Sequence, residues 1–231
     1  MRSSTKTFIC FFLSIYIGSI GMEGQTNAPQ KIYQLTSEEK KSGFKILFDG
    51  SSLDQWIDYN DQYYIREKSI VKKPGGNGNL YSKEEYKDFI LRFEFQLTPG
   101  ANNGIGIRHK LMNTNRGYDG MELQIIDNDA PIYTHLKPAQ YHGSLYMDIP
   151  AKREGMKPIG EWNEQEVRVE GLKIKIILNG VLILDGNIGD LPSQRLKRNP
   201  RLLYEKGHIA FLGHDSEVMF RNIRVKDLEK Q

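Results

Sequence analysis

Glu122 and Gln124 stand one residue apart in the segment GYDGMELQIIDND, residues 117–129, and Asp127 closes the run. A carboxylate and an amide on one face can hold sugar hydroxyls, and the carboxylate can also move a proton. Met121, Leu123 and Ile125 alternate with them as the buried side of a strand does, which sets Glu122 and Gln124 on the opposite face. That face is either ordinary wet surface, as any antiparallel sheet allows, or a place where something polar is held. Just upstream, PGANNGIGIRHK reads as a second strand with Ile105 and Ile107 inward and Gly104, Gly106 and Arg108 outward. Two glycines would leave that face flat enough for a ligand to approach the backbone. An arginine beside them can fork hydrogen bonds to hydroxyls or to a developing oxyanion. The competing reading is a bulge with a solvated arginine. Aromatic rings for stacking on a sugar are available in Tyr118, Tyr141, Tyr146 and Trp162.

Other chemistries find little support. The five histidines are His109, His135, His142, His208 and His214, and none pair at helical metal-binding spacing. His214, in FLGHDSE, follows a strand and precedes the last hairpin, so it falls at a turn. No G-x-S-x-G or phosphate loop is present, and GANNGIG lacks the strand–turn–helix setting that phosphate binding needs. No cofactor is expected. A divalent ion held by ligands dispersed over several strands stays open, without a ligand set that indicates one.

The elements that must position these residues read as strands and turns. FKILF ends at the turn signal DGSS. DFILRFEFQLT turns Phe89, Leu91, Phe93, Phe95 and Leu97 one way and Ile90, Arg92, Glu94 and Gln96 the other. KIKIILNGVLILDG is a hairpin around Asn179-Gly180, and GHIAFLG and EVMFRNIRVKDL supply two closing strands. Thr36 or Ser37 is placed to cap a short helix near TSEEKK. Residues 187–207 and 148–162 read as long loops, of the kind that shape a binding edge. The pattern predicts one all-β domain, a two-sheet antiparallel sandwich.

The first 21 residues have the layout of a secretory signal: Arg2 and Lys6, an apolar run from Phe8 to Ile20, then Ser19 and Gly21. Residues 22–41 follow as a polar leader, and residues 42–231 carry the domain. Of 32 basic and 29 acidic residues, the signal takes two basic ones, leaving 30 against 29 and a net charge of +1. No basic field favours nucleic acid or a membrane surface. Cys10, the single cysteine, leaves with the signal, so disulfides and cysteine chemistry drop out. An exported protein, periplasmic or extracellular, is expected.

Five pieces occur in an order that resembles the 3-keto-disaccharide hydrolase domain family: GFKILFDGSSLDQW, YKDFILRFEFQLTPGANNGIGIRH, GYDGMELQIIDN, GSLYMDIPAKREGMKPIGEWNEQEVRVEGLKIKIILNG and GHIAFLGHDSEVMFRNIRVKDL. The likeness spans about residues 42–228. It implies a jelly roll of the concanavalin A-like lectin/glucanase type, with a sugar cleft on the concave sheet. Carried over residue by residue, the family's Asn-small-Gly-Ile-x-x-Arg falls on Asn103, Gly104, Ile105 and Arg108. Its Glu-x-Gln-x-x-Asp falls on Glu122, Gln124 and Asp127; Gly-x-Trp-Asn on Gly160, Trp162 and Asn163; and the late histidine on His214. The sequence departs from the pattern at Asn102-Asn103-Gly104, where Asn-Ser-Gly is usual. It departs also at Phe44 for Trp, at Gly213 where Gln often precedes the histidine, and at His142 for Thr.

Retaining glucanases on such a sandwich use two carboxylates about 5–5.5 Å apart, and here the matching positions read Glu122, Gln124, Ile126. The resemblance therefore implies hydrolysis of a 3-keto-glycoside instead, through removal of the C2 proton, elimination and hydration. On that reading Glu122, His214 and Arg108 are catalytic: the first two as base and acid in either order, Arg108 with Asn103 on the enediolate. Asn103, Gln124, Asp127, Tyr146 and Trp162 would bind the sugar. A sugar 3-oxidoreductase is the implied functional partner, since this chain has no nucleotide fingerprint. Two alternatives stand beside it: a carbohydrate-binding domain without turnover, and an ordinary glycosidase whose second carboxylate, Asp127 or Asp119, comes from a loop.

Overall fold

Alternating apolar residues write the strands, and glycine or asparagine turns separate them. The computed structural model describes residues 33–58, 61–111 and 119–229. A short helix α1 (Ser37–Lys41) leads into β1 (Phe44–Phe48), β2 (Trp56–Asp58), β3 (Tyr63–Arg66), β4 (Ser69–Lys72) and β5 (Gly78–Tyr86). Next come β6 (Phe89–Leu97), β7 (Asn102–His109), β8 (Met121–Ile126), β9 (Trp162–Glu170), β10 (Lys173–Leu178) and β11 (Val181–Asn187). Helix α2 (Ser193–Arg198) separates these from β12 (Gly207–Gly213) and β13 (Val218–Asp227). Among the described residues the thirteen strands form two antiparallel sheets. The larger runs β11-β10-β9-β6-β13-β4-β3 with β1 also on β13, and the smaller runs β2-β5-β12-β7-β8. The two-sheet sandwich of jelly-roll type is therefore present.

Phe89, Leu91, Phe93, Phe95 and Leu97 of β6 are all buried and meet the inward residues of the smaller sheet, Ile105, Ile107, Leu123, Ile125 and Phe211. Phe211 stacks on Phe220 with ring centroids 4.0 Å apart and on Trp56 at 5.2 Å. Each such ring contributes roughly 1.5–3 kcal/mol by leaving water. The expected hairpin joins β10 to β11 through Asn179 and Gly180, at φ 49° and 83°, the left-handed pair that a two-residue turn requires. Thr36 caps α1 in a reciprocal capping box with Glu39.

One element corrects the sequence reading. Residues 188–204 are not a plain loop: they form α2 and two 3-10 turns, Ile188–Asp190 and Pro200–Leu203, because Leu202 is buried and Leu191 and Leu196 rest on the core. Three apolar anchors make that segment a fixed rim. The expected signal, residues 1–21, lies outside the described residues, as do 22–32 of the leader and Tyr118.

Candidate active site

The outward face of the smaller sheet holds the candidate residues, and a bulge decides which ones. Ala210 of β12 pairs with Gly106 of β7, and His208 with His109, so β7 spends two residues where β12 spends one. The extra residue is Arg108, at φ 54°. A bulge of this kind inverts the alternation beyond it. His109 therefore takes the outward position expected for Arg108, and Arg108 turns away from it.

Arg108 is 1% exposed. Its Nε and Nη2 donate to the carbonyl of Lys87, Nη1 to that of Tyr204 at 3.0 Å, and Nη2 also to Gly171 and to the Asp88 carboxylate at 3.1 Å. Every arm of the fork is occupied by the protein itself. The expectation that Arg108 stabilises a reacting oxyanion is thus corrected: it ties three chain segments together. Burial lowers its pKa, and Asp88 opposes that shift.

Two rows of residues cross the outward face. Register sets Glu122 beside Gly106, Ala210 and Tyr81, and Gln124 beside Gly104, Leu212 and Asn79. The two glycines do not leave a bare platform. A Cβ on Gly104 would lie 2.4 Å from Glu122 Oε1, so the carboxylate folds across that glycine. A Cβ on Gly106 or Gly120 would meet the His109 ring at 2.9 or 2.1 Å. The missing side chains seat protein groups rather than a ligand. His109 Nε2 donates to the Met121 carbonyl at 3.1 Å, and burial brings its pKa down to about 4, leaving the ring neutral.

Glu122 is 5% exposed, and His214 Nε2 lies 3.8 Å from its Oε1. The His214 side chain is 43% exposed, so this pair has one buried and one accessible member. Asn103 pairs with Gly213, which places Asn102 next to His214 on the outward side. The side-chain oxygens of Asn102 and Gln124 are buried and have no hydrogen-bond partner among the described residues. An unmade hydrogen bond at a buried acceptor is costly, so both oxygens suit donors arriving on a ligand. Tyr146 joins this group: its backbone N–H donates to the Glu122 carbonyl at 2.9 Å, and Leu145 bridges Leu123. That pairing sets the Tyr146 side chain on the Glu122 side.

The structure does not bring the remaining expected residues here. Asn103 shares the inward parity of Ile105 and is fully buried between the sheets, its Oδ1 accepting from Gly104 N–H. Asp127 accepts from the backbone N–H of Gly100 and Asp129, closing the turn after β8. Trp162 begins β9 in the other sheet and carries Arg221 over its ring at 3.8 Å. Asn102, Asn79, Tyr81 and His109 were missed. For Asn102, strict parity counted from Ile105 would have found it. Among the described residues no group of three or more His, Cys, Asp or Glu side chains gathers as a metal-ligand set.

Comparisons with known proteins place this two-sheet sandwich in a class of carbohydrate-active β-sandwiches. The sequence profile of the 3-keto-alpha-glucoside-1,2-lyase-like domain matches residues 43–226. The chain belongs to that family, a carbohydrate hydrolase family. A 3-keto-disaccharide hydrolase of Bacteroides thetaiotaomicron is 25% identical over 230 residues, covering 81% of this chain and 79% of the relative. A crystal structure of a putative glycosyl hydrolase from Parabacteroides distasonis superposes with a TM-score of 0.75 at 22% identity, over 86% of this chain and 100% of that one. A Bacillus subtilis protein of unknown function with a galectin-like fold gives 0.51 at 14% identity, over 77% and 92%.

Proposed function

We propose that this chain hydrolyses the glycosidic bond of 3-keto-glycosides by elimination followed by hydration. The observation that carries it is the Glu122–His214 pair, 3.8 Å apart, at the outward face of the smaller sheet. Hydrolysis at an unoxidised sugar uses two carboxylates flanking the scissile bond. The carboxylates nearest in sequence are engaged elsewhere: Asp127 in its turn, and Asp119 with the Tyr204 hydroxyl at 3.0 Å.

A ketone at C3 acidifies the C2 proton, which makes one base and one acid sufficient. Glu122, buried and poorly solvated, takes the C2 proton. The electron pair forms the C3 enediolate, then the C1=C2 bond, and the C1–O bond breaks as His214 protonates the departing oxygen. Water then adds across C1=C2: its proton returns to His214, its oxygen bonds C1, and Glu122 gives the proton back to C2. Both side chains end as they began, and the sum is hydrolysis. A positioned acid or base of this kind supplies ~10²–10⁴ in rate. Gln124 and Asn102 accept hydrogen bonds from the sugar hydroxyls through their unpartnered oxygens. A separate sugar 3-oxidoreductase installs the ketone, and the enzyme acts on the exported side of the cell.

The test compares 3-keto-trehalose with trehalose. Release of free sugars from the keto form alone, through a transient ultraviolet-absorbing enone, is the expected result. Cleavage of plain trehalose at a similar rate would make the protein an ordinary glycosidase, and tight binding without turnover would make it a lectin.

A further inference from the structure

We infer that Lys72 is a positioning residue for His214, holding the turn that carries the leaving-group acid. The inference rests on the reaction proposed above and adds to it a residue that acts from between the sheets.

Lys72 ends β4 in the larger sheet. Ile70, two residues earlier, packs in the core, so the Lys72 side chain also points between the sheets. It is fully buried. Keeping an ammonium out of water is costly, and a residue that merely filled this space would be apolar. Among the described residues the ammonium is met by main-chain carbonyls rather than by a carboxylate: Nζ donates to Gly76 at 2.7 Å and to Lys73. Burial lowers its pKa, and the charges of Asp215 and Asp58 oppose that shift.

Those two bonds close residues 73–76 into a turn over the ammonium. From that turn the Gly75 N–H donates to the Asp215 carbonyl at 3.0 Å, one residue past His214. One residue before it, Gly213 rests on the lysine stem: a Cβ there would lie 2.3 Å from Lys72 Cε. Both chain neighbours of His214 are thus fixed through Lys72, one against its methylenes and one through the turn its ammonium closes. The next hold on this segment is farther along, where Thr98 Oγ1 donates to the Glu217 carbonyl at 2.8 Å. The His214 side chain itself is partly in solvent, 3.8 Å from Glu122, so the backbone on either side sets its direction. A shift of about 1 Å there would separate the acid from the departing oxygen, and misplacement of that size can cost on the order of 10²-fold.

The experiment uses the full chain and the 3-keto-glucosides of methanol and of 4-nitrophenol. Methoxide needs a proton to leave; 4-nitrophenolate departs without one. K72M keeps the stem and removes the ammonium. Its kcat on the methyl glucoside is expected to fall about tenfold with KM little changed, while kcat on the nitrophenyl glucoside stays within about twofold of wild type. In a His214→Gln background, where the acid is already gone, K72M is expected to produce no further fall. Urea midpoints verify folding, and if K72M does not fold the same readings are taken from K72Q, which keeps an amide donor. An equal fall on both glucosides, no fall on either, or a further fall in the His214→Gln background overturns the inference and leaves the reaction standing. Cleavage of neither glucoside by the wild type overturns both.

Discussion

The two sheets of this sandwich each show one face to the outside, and the faces differ in how their polar groups are spent. On the larger sheet charge meets charge: Arg221 with Glu94, Arg92 with Glu166 and Glu39, Arg224 with Glu39 and Glu164, Lys175 with Asp185. On the smaller sheet the polar groups are buried and incompletely answered. Glu122 lies 3.8 Å from His214, and among the described residues the Gln124 and Asn102 side-chain oxygens have no donor. Paired, half-wet charges are what a solvated sheet needs and nothing more. Buried acceptors without donors cost stability unless water or a ligand supplies them. The face alternating Glu122 with Gln124 is thus not the wet surface that its sequence alone allowed.

Several changes would break or sharpen this contrast. The largest effect is expected from Glu122→Gln, which keeps shape and loses the base. Turnover of a 3-keto-glycoside should fall by ~10²–10⁴ with little change in the urea midpoint, and an active variant would remove Glu122 from the base role. Next comes acid sensitivity. Burial holds His109 neutral, with its pKa lowered from 6.5 to about 4. The unfolded chain gains this proton near pH 6.5 and the folded one only near pH 4. Stability is therefore full above pH 6.5 and declines toward pH 4, by about 3 kcal/mol from this residue. Urea titrations across that range should show a shallower decline in His109→Gln. Smaller again is Gly104→Ala, whose methyl displaces the end of the Glu122 side chain. A loss of about tenfold in kcat is expected, since small misplacements of reacting groups are costly. The smallest change belongs to the other sheet. Lys175→Gln breaks a pair whose members are each about half exposed, and should cost under ~1 kcal/mol and leave kcat untouched.

How much of this was legible in the sequence depended on distance along the chain. Alternation gave β6, β8 and the β10–β11 hairpin, because period two is a local property and Asn179-Gly180 is a local turn. Glu122, Gln124 and His214 could be selected from motif and parity. Arg108 could not be placed: GIGIRH admits a bulge, but nothing in it says where the extra residue falls or that Arg108 trades places with His109. Asn103 was misplaced by following the motif over the parity that Ile105 already fixed. Trp162 failed for a different reason: alternation assigns a face, but not the sheet to which the face belongs. The α2 rim stayed hidden because its three anchoring leucines, Leu191, Leu196 and Leu202, are spread over a polar, proline-broken stretch whose burial only the finished core reveals.

The buried guanidinium of Arg108 has one more implication. It grips the carbonyl of Tyr204 along with those of Lys87 and Gly171, so the far end of the α2 rim is moored to the sandwich floor. A chimera that exchanges residues 192–203 would therefore inherit a ready anchorage, and that rim could be replaced without rebuilding the scaffold beneath it.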